Sequence, residues 1–322
     1  MTARFRPVAG YMVFVAVLLT VPAVFTRVPF YTLSTAVLMV LLAIGALGLV
    51  PLTGLARQVS IGQAAFYGIG GYTSAVLTVR YHVDPWWGLL AGVVLAAAVA
   101  WSLGAVIFRA QGHYLSLATL AFGLAVAALV NELPVTGRNA GISGLPPLRI
   151  LGASLTTDLP FYWLCAGLLL VATVAVHLLL RSPVGSALTA AGDSPIAAAA
   201  AGIDISALRR TAFVVSAVLA SVAGSGYAHW FRYVDPSMLG LLNSVQLLII
   251  ITVGGRESVW GAPLGAFTVV TLAEVVRGRL PGSEAGAELT AYGVVLVLSL
   301  LLLPRGLAGL PAALRRRARG AR

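Results

Sequence analysis

Lysine is absent from this sequence of 322 residues, and all 21 of its basic residues are arginine. A P-loop needs the lysine of G-x-x-x-x-G-K-[ST] to reach the β- and γ-phosphates of a nucleotide. Schiff-base enzymes likewise need a reactive lysine. Cysteine is nearly absent too: Cys165 stands alone in an apolar run, so no intrachain disulfide or C-x-x-C pair exists. The sequence therefore excludes a P-loop ATPase site, lysine Schiff-base chemistry and dithiol chemistry.

Charged residues are scarce as well, at 10% of the sequence, whereas 59% of the residues are hydrophobic. A typical soluble domain has roughly a quarter of its residues charged. Such a sequence has too few water-compatible side chains to cover the surface of a soluble protein, and no stretch has the mixed composition of a soluble domain. It therefore predicts one integral membrane domain over 1–322.

Apolar runs of nearly membrane-spanning length recur between short polar breaks. A helix needs about 20 apolar residues to cross the hydrocarbon core of a bilayer. The predicted spans are 8–26, 30–50, 59–79, 86–108, 114–133, 159–180, 210–230, 241–255, 259–276 and 288–303. We therefore expect an all-α, polytopic integral membrane protein with about ten transmembrane helices.

The arginines are distributed unequally between alternate connections. With the N-terminus inside, 14 of the 21 arginines fall on the cytoplasmic side. Cytoplasmic loops carry an excess of basic residues, so the bias predicts that both termini are cytoplasmic. The basic tail 304–322 is expected to lie near anionic lipid headgroups. Because the other basic residues lie between apolar segments rather than on one face, the net charge of +11 does not indicate nucleic-acid binding.

Two connections are longer than the rest: an outer loop at about 134–158 and an inner loop at about 181–209. In the inner loop, Ser194 can cap a helix that begins at Pro195 and ends at Gly202. Asp204 or Ser206 can cap the membrane helix that follows. A short, alanine-rich helix has little reason to be stable alone. It is therefore either a docking element for another protein or a helix resting on the bilayer interface.

Polar residues within the predicted spans are candidates for a translocation pathway, because polar groups in a bilayer usually face the protein interior or water. In the third span Gln63, Tyr67, Gly70 and Ser74 share one helical face. Small residues suited to helix packing line a neighbouring face. Gln63 is suited either to a substrate contact or to a hydrogen bond between helices.

Polar residues also mark the ends of other spans, and a glycine-rich break separates two of them. Asn131 ends the fifth span, and Gln246 stands near the start of the eighth. The segment from Gly254 to Gly265 predicts a sharp turn or a broken helix.

No catalytic or metal-binding constellation is evident. The four histidines are scattered, and no H-E-x-x-H motif occurs. Glu274 is the one acid well inside a predicted span, whereas a proton-coupled transporter usually needs a carboxylate in the membrane. These observations disfavour an enzyme, and more gently an ion-coupled secondary transporter. We expect no bound metal and no catalytic residue.

Three segments, in this order and spacing, resemble the LivM-type permeases of branched-chain amino acid ABC importers. They are 54–72 (GLARQVSIGQAAFYGIGGY), 136–146 (TGRNAGISGLP), and the inner-loop pieces 185–188 (GSAL) and 196–203 (IAAAAAGI). The resemblance continues to Gly265 and covers most of residues 40–275.

The resemblance implies that the inner loop couples the permease to an ATPase. The residues carried over are Asp193, Ser194, Pro195, Ile196, Ala197, Ala198, Gly202 and Ile203. The family's usual acid in this loop is replaced here by Ala199, which leaves shape and apolar contact to make the interaction. Candidates for the translocation pathway are Gln58, Ser60, Gln63, Tyr67, Ser74, Asn131 and Gln246.

The resemblance also implies the partners and the location. These are a second, LivH-like permease, two cytoplasmic ATPases that bind ATP and Mg²⁺, and an extracytoplasmic binding protein, in the plasma membrane of a bacterium. The chain itself would bind no cofactor. Leucine, isoleucine and valine are the default substrates, and urea, short amides and other amino acids are alternatives.

Overall fold

The structure is a computed structural model that describes residues 5–25, 32–108, 114–150, 153–279, 290, 293–294 and 306–309. Within these ranges it is helical almost throughout, with four strands of two residues each. The helices are α1 (Phe5–Phe25), α2 (Leu33–Leu47), α3 (Gln63–Arg80), α4 (Pro85–Ile107), α5 (Tyr114–Glu132), α6 (Asp158–Arg181), α7 (Pro183–Asp193), α8 (Pro195–Ala200), α9 (Ile205–Phe231), α10 (Leu241–Gly254) and α11 (Gly261–Arg279).

The predicted all-α, polytopic membrane fold is confirmed. In the described residues, nine helices coincide with nine of the ten predicted spans, and the tenth span, 288–303, lies largely outside the described ranges. By length and composition, four of these helices can cross a membrane: α4, α5, α6 and α9. The apolar parts of α1, α2, α10 and α11 are shorter. The predicted sharp turn near Gly254 is also confirmed, because α10 ends there and α11 begins at Gly261.

The third predicted span begins later than the sequence indicated, at Gln63 instead of residue 59. After α2 the chain forms a π-helical turn at Val50–Leu55, which we call the π-turn, and then runs irregularly to Gly62. The side chains of Thr119 and Ser244 accept hydrogen bonds from the backbone N–H groups of Ile61 (3.1 Å) and Ala64 (2.9 Å). In hydrocarbon these donors need protein partners, so α5 and α10 supply the caps that allow α3 to begin there.

Helix α9 lies at the centre and packs against α3, α4 and α2. Glycines allow the backbones to approach closely: a Cβ added to Gly224 would overlap the carbonyl of Tyr67, and the Ser225 hydroxyl donates to the Gly70 carbonyl at 2.9 Å. Small residues of α9 therefore form a packing face against α3.

The outer loop is held against the ends of α3, α4 and α9. Strand β1 (Ile142–Ser143) pairs antiparallel with β4 (Tyr233–Val234), and β2 (Arg149–Ile150) pairs with β3 (Ala153–Ser154). The Trp86 indole N–H donates to the Arg149 carbonyl at 2.7 Å. Gly141 has a φ of +71° and lies against the Val234 carbonyl, so this turn requires glycine.

We expect Gly224→Ala to destabilise the bundle, because the new methyl group would meet backbone of α3 that has no freedom to move aside. Overpacking of this kind costs about 1–3 kcal/mol. The measurement is the melting temperature of the detergent-solubilised protein. Gly167→Ala in α6 is the matched control, since no atom lies within 4 Å of its added Cβ. Equal melting temperatures for the two variants would contradict this packing.

Candidate functional site

The inner loop is built from two consecutive short helices, each begun by a serine. Ser182 caps α7 by accepting from the Gly185 N–H at 3.3 Å, and Ser194 caps α8 by accepting from the Ala197 N–H, also at 3.3 Å. A proline follows each serine at the first helical position, where its missing N–H costs nothing. The helix predicted to begin at Pro195 is confirmed. Helix α7 was missed, although Ser182-Pro183 carries the same capping signal.

Helix α8 ends at a tight turn of defined geometry. Gly202 has a φ of +79°, its N–H donates to the Ala199 carbonyl at 2.9 Å, and the Ile203 N–H donates to the Ala198 carbonyl at 3.1 Å. This is the Schellman arrangement, which favours glycine at the left-handed position. Asp204 then caps α9 by accepting from the Ala207 N–H at 3.0 Å. Each end of α8 is thus specified by local hydrogen bonds.

Helix α8 has one exposed face and one buried face. Ile196 is 86% exposed, and Ala197, Ala199 and Ala200 are exposed beside it. Ala198 is only 4% exposed, and Ile203 is partly buried. The outward surface available to a partner is therefore Ile196 with the alanines next to it, whereas Ala198 faces the chain itself.

Asp193, at the end of α7, forms an ion pair with Arg57, in the irregular segment that precedes α3. The family resemblance places Asp193 among the residues expected to couple the chain to an ATPase. Its described ionic partner instead lies within the same chain. The pair connects the inner loop to the first of the three family-like segments.

Four of the pathway candidates lie in the interior of the helix packing. Gln63 has no exposed surface: its side-chain N–H donates to the Ser216 carbonyl at 3.0 Å, and its carbonyl accepts from the Ser216 hydroxyl at 3.0 Å. Ser60 and Ser74 are fully buried, and the Tyr67 ring lies 5.8 Å from the ring of Tyr227. For Gln63 the structure thus shows the hydrogen bond between helices that the sequence allowed.

A buried polar chain continues from Ser74 toward the outer loop. Its hydroxyl lies 2.7 Å from Nε2 of His229, whose Nδ1 lies 2.9 Å from the Pro146 carbonyl. His229 therefore connects α3 and α9 to the outer loop. Sequence reasoning missed His229 because the four histidines show no common pattern. Only the crossing of α3 and α9 brings it to Ser74.

Gln58, Asn131 and Gln246 are partly exposed. Gln58 donates to the Ala56 carbonyl at 3.3 Å, beside the inner loop. Asn131 lies near the outer end of α5, and Gln246 lies in α10, which packs against α5. Of the four long apolar helices, α5 is the least enclosed by the rest of the chain. The structure thus separates the seven candidates into four buried residues and three that reach the surface.

Within the described ranges, no group of three His, Cys, Asp or Glu residues is placed to hold a metal ion. What the described helices present is a polar helix in the interior of an apolar bundle, with a capped helix pair at one end. These features define the class of the protein as a polytopic, all-α membrane protein.

The chain belongs to the family described as "Branched-chain amino acid transport system / permease component", which matches residues 31–303. It is 30% identical to the LivM permease of Escherichia coli over 300 residues, which cover 86% of this chain and 69% of LivM. It is 24% identical to E. coli LivH over 84% of this chain and 91% of LivH.

A guanosine ABC transporter permease, NupQ of Bacillus subtilis, is 25% identical over 53% of this chain and 58% of NupQ. No solved structure matches the chain. These relatives are membrane components of transporters, and the chain is accordingly a multi-pass permease of the bacterial plasma membrane.

The predicted orientation can be tested by cysteine labelling in a Cys165→Ala background. We expect Ile196→Cys to react with a membrane-impermeant maleimide only after spheroplasts are permeabilised, and Asn139→Cys to react in intact spheroplasts. Both positions are exposed in the structure, so access to the side chain depends on the side of the membrane. The opposite pattern would reverse the assignment of the inner and outer loops.

Proposed function

We propose that this chain is one of the two membrane-spanning subunits of an ABC importer for branched-chain amino acids. It would form a single permease domain over 1–322, with energy supplied by ATP and Mg²⁺ bound to two separate cytoplasmic ATPases. The observation that carries this proposal is the combination of a sequence without lysine and a capped, outward-facing helix α8 in a family of transport permeases. The chain would itself be no enzyme.

Helix α8 is the proposed contact with the ATPase. Its six residues are too few for a stable isolated helix, yet capping bonds define both of its ends. A defined helix that exposes Ile196 and three alanines offers shape and apolar surface, with no charge between Asp193 and Asp204. Such a surface fits an apolar groove in a partner, where Ile196 would be buried on docking.

The proposed partners are a LivH-like permease, the two ATPases and an extracytoplasmic binding protein, all within lipid and without nucleic acid. The names of the LivM and LivH relatives support a two-permease assembly. In alternating access, ATPase closure would shift the permease pair between inward-open and outward-open forms.

For the pathway we propose the side of the bundle formed by α10 and by α5, the least enclosed of the four long apolar helices, where Asn131 and Gln246 reach the surface. Gln58 would lie at its cytoplasmic end. The buried Ser60, Gln63, Tyr67 and Ser74 would hold the frame of the pathway. They would meet substrate only if α3 and α9 separate.

Leucine, isoleucine and valine are the proposed substrates, on the strength of the names of the LivM and LivH relatives. Urea, short amides and other amino acids are the alternatives within the same class. The deciding measurement is the affinity of the partner binding protein for each of these compounds. A binding protein that binds urea or an amide but none of the three amino acids would overturn this choice of substrate.

The importer assignment is tested by uptake into proteoliposomes. We expect leucine uptake to require both ATP and the binding protein, and we expect genes for an ATPase, a second permease and a binding protein nearby. Uptake by the purified chain alone, driven by an ion gradient and with no such genes nearby, would establish the alternative of a secondary transporter.

We expect Ile196→Asp to weaken docking of the ATPase, because a carboxylate would have to be desolvated in an apolar groove. The measurements are the amount of ATPase that co-purifies and the rate of ATP-driven uptake, both of which should fall. Stability should be unchanged, because Ile196 is 86% exposed. Ala190→Asp, on an exposed position of α7, is the control and should leave both near wild type. Full uptake by Ile196→Asp would show that α8 is not the contact.

A further inference from the structure

We propose that Gly192 and the Arg57–Asp193 ion pair lock α7 onto the π-turn, so that movement of the inner loop reaches the start of α3. We call this set of contacts the α7 lock. The inference rests on the proposed function, since it assigns the route by which ATPase closure would be felt inside the membrane.

The π-turn follows α2 and departs from regular α-helical hydrogen bonding. The Ala56 N–H donates to the Pro51 carbonyl, five residues back, at 3.1 Å, and the Gln58 N–H donates to the Leu52 carbonyl at 3.0 Å. Pro51 has no N–H to donate and its ring disfavours a regular helix at this point. Two residues after the π-turn, Arg57 has a φ of +51°. The π-turn therefore joins α2 to the segment before α3 through hydrogen bonds that span five and six residues.

At Gly192, helix α7 contacts the π-turn through its backbone. A Cβ on Gly192 would overlap the carbonyl oxygen of Leu55, the last residue of the π-turn. Leu188 and Ala191, on the same side of α7, have no exposed surface. One residue after Gly192, Asp193 binds Arg57. Since no flexible side chain intervenes, a displacement of α7 is passed directly to Leu55.

The π-turn also contacts a third element through its backbone. A Cβ on Gly54 would overlap the carbonyl of Arg256, in the turn between α10 and α11. The π-turn thus has close backbone contacts with both α7 and the α10–α11 turn. A displacement of α7 that reaches the π-turn therefore meets a further element in direct contact.

From Arg57 the route continues to the start of α3. The segment after Arg57 leads to Ile61 and Ala64, whose N–H groups bind Thr119 of α5 and Ser244 of α10. These are the two helices proposed to line the pathway. The α7 lock therefore connects the ATPase-facing loop to the pathway helices through contacts that all lie within this chain.

The ion pair serves to position α7 and adds little stability. The Arg57 and Asp193 side chains are 59% and 56% exposed, and such pairs are largely solvated. Loss of the ion pair should therefore change coupling while leaving the chain folded. An effect on coupling can then be distinguished from an effect on stability.

The test uses the assembled transporter, with its partner permease, ATPases and binding protein, in proteoliposomes. We expect the Gly192→Ala protein that assembles with the ATPases to hydrolyse ATP, while the number of substrate molecules moved per ATP falls by about five-fold or more, as typical coupling energies allow. Arg57→Asp and Asp193→Arg should each lower this ratio, and the two together should restore it. Gly167→Ala is the matched glycine control.

A second readout does not depend on transport. Val59 is exposed just beyond Arg57, so the maleimide labelling rate of Val59→Cys should change when ATP is added. Gly192→Ala should abolish that change while the ATPases remain bound. An unchanged transport ratio in Gly192→Ala, or a double charge exchange that fails to restore coupling, would overturn the α7 lock. If the ATPases do not bind the unaltered chain, the proposed function itself is wrong.

Discussion

Gly224 of α9 lies against the Tyr67 carbonyl of α3 with no room for a methyl group, and the rest of the bundle is arranged around this approach. In lipid, the burial of apolar side chains does not drive helices to associate. Close backbone packing and hydrogen bonds must therefore hold the helices together. The same close approach brings Ser216 to Gln63 and His229 to Ser74. Small residues on α9 thus determine which polar groups of α3 find partners.

Helix α3 can be polar because it is packed against α9 in the interior of the bundle. Because of its glycines and polar side chains, α3 is not among the helices that are apolar enough to cross a membrane by composition. Most of its residues are nevertheless buried by neighbouring protein. Its first N–H groups are satisfied by Thr119 and Ser244. A helix start of this kind is tolerated at membrane depth only where protein supplies the partners.

The absence of lysine has its structural counterpart at the inner loop. Under the proposed function, a permease without a P-loop would depend on contact with a subunit that has one, and α8, with six residues capped at both ends, is the contact that we propose. The outward direction of Ile196 and the inward direction of Ala198 are properties of this structure. Close contacts at Gly192 and Gly54 join the loop to the membrane bundle.

Much of this could be predicted from local patterns. Hydrophobic run length indicated the spans, and Ser194-Pro195 with Gly202 indicated α8, because membrane helices and caps depend on residues near each other in the chain. The missing lysine excluded a P-loop nucleotide site by composition alone. Only the tertiary structure decided that Gln63 binds Ser216, that Asp193 pairs with Arg57, and that Asn131 and Gln246 reach the surface. Those contacts join residues more than a hundred positions apart or depend on what covers a helix face, and the crossing of helices, which no local pattern encodes, brings them together.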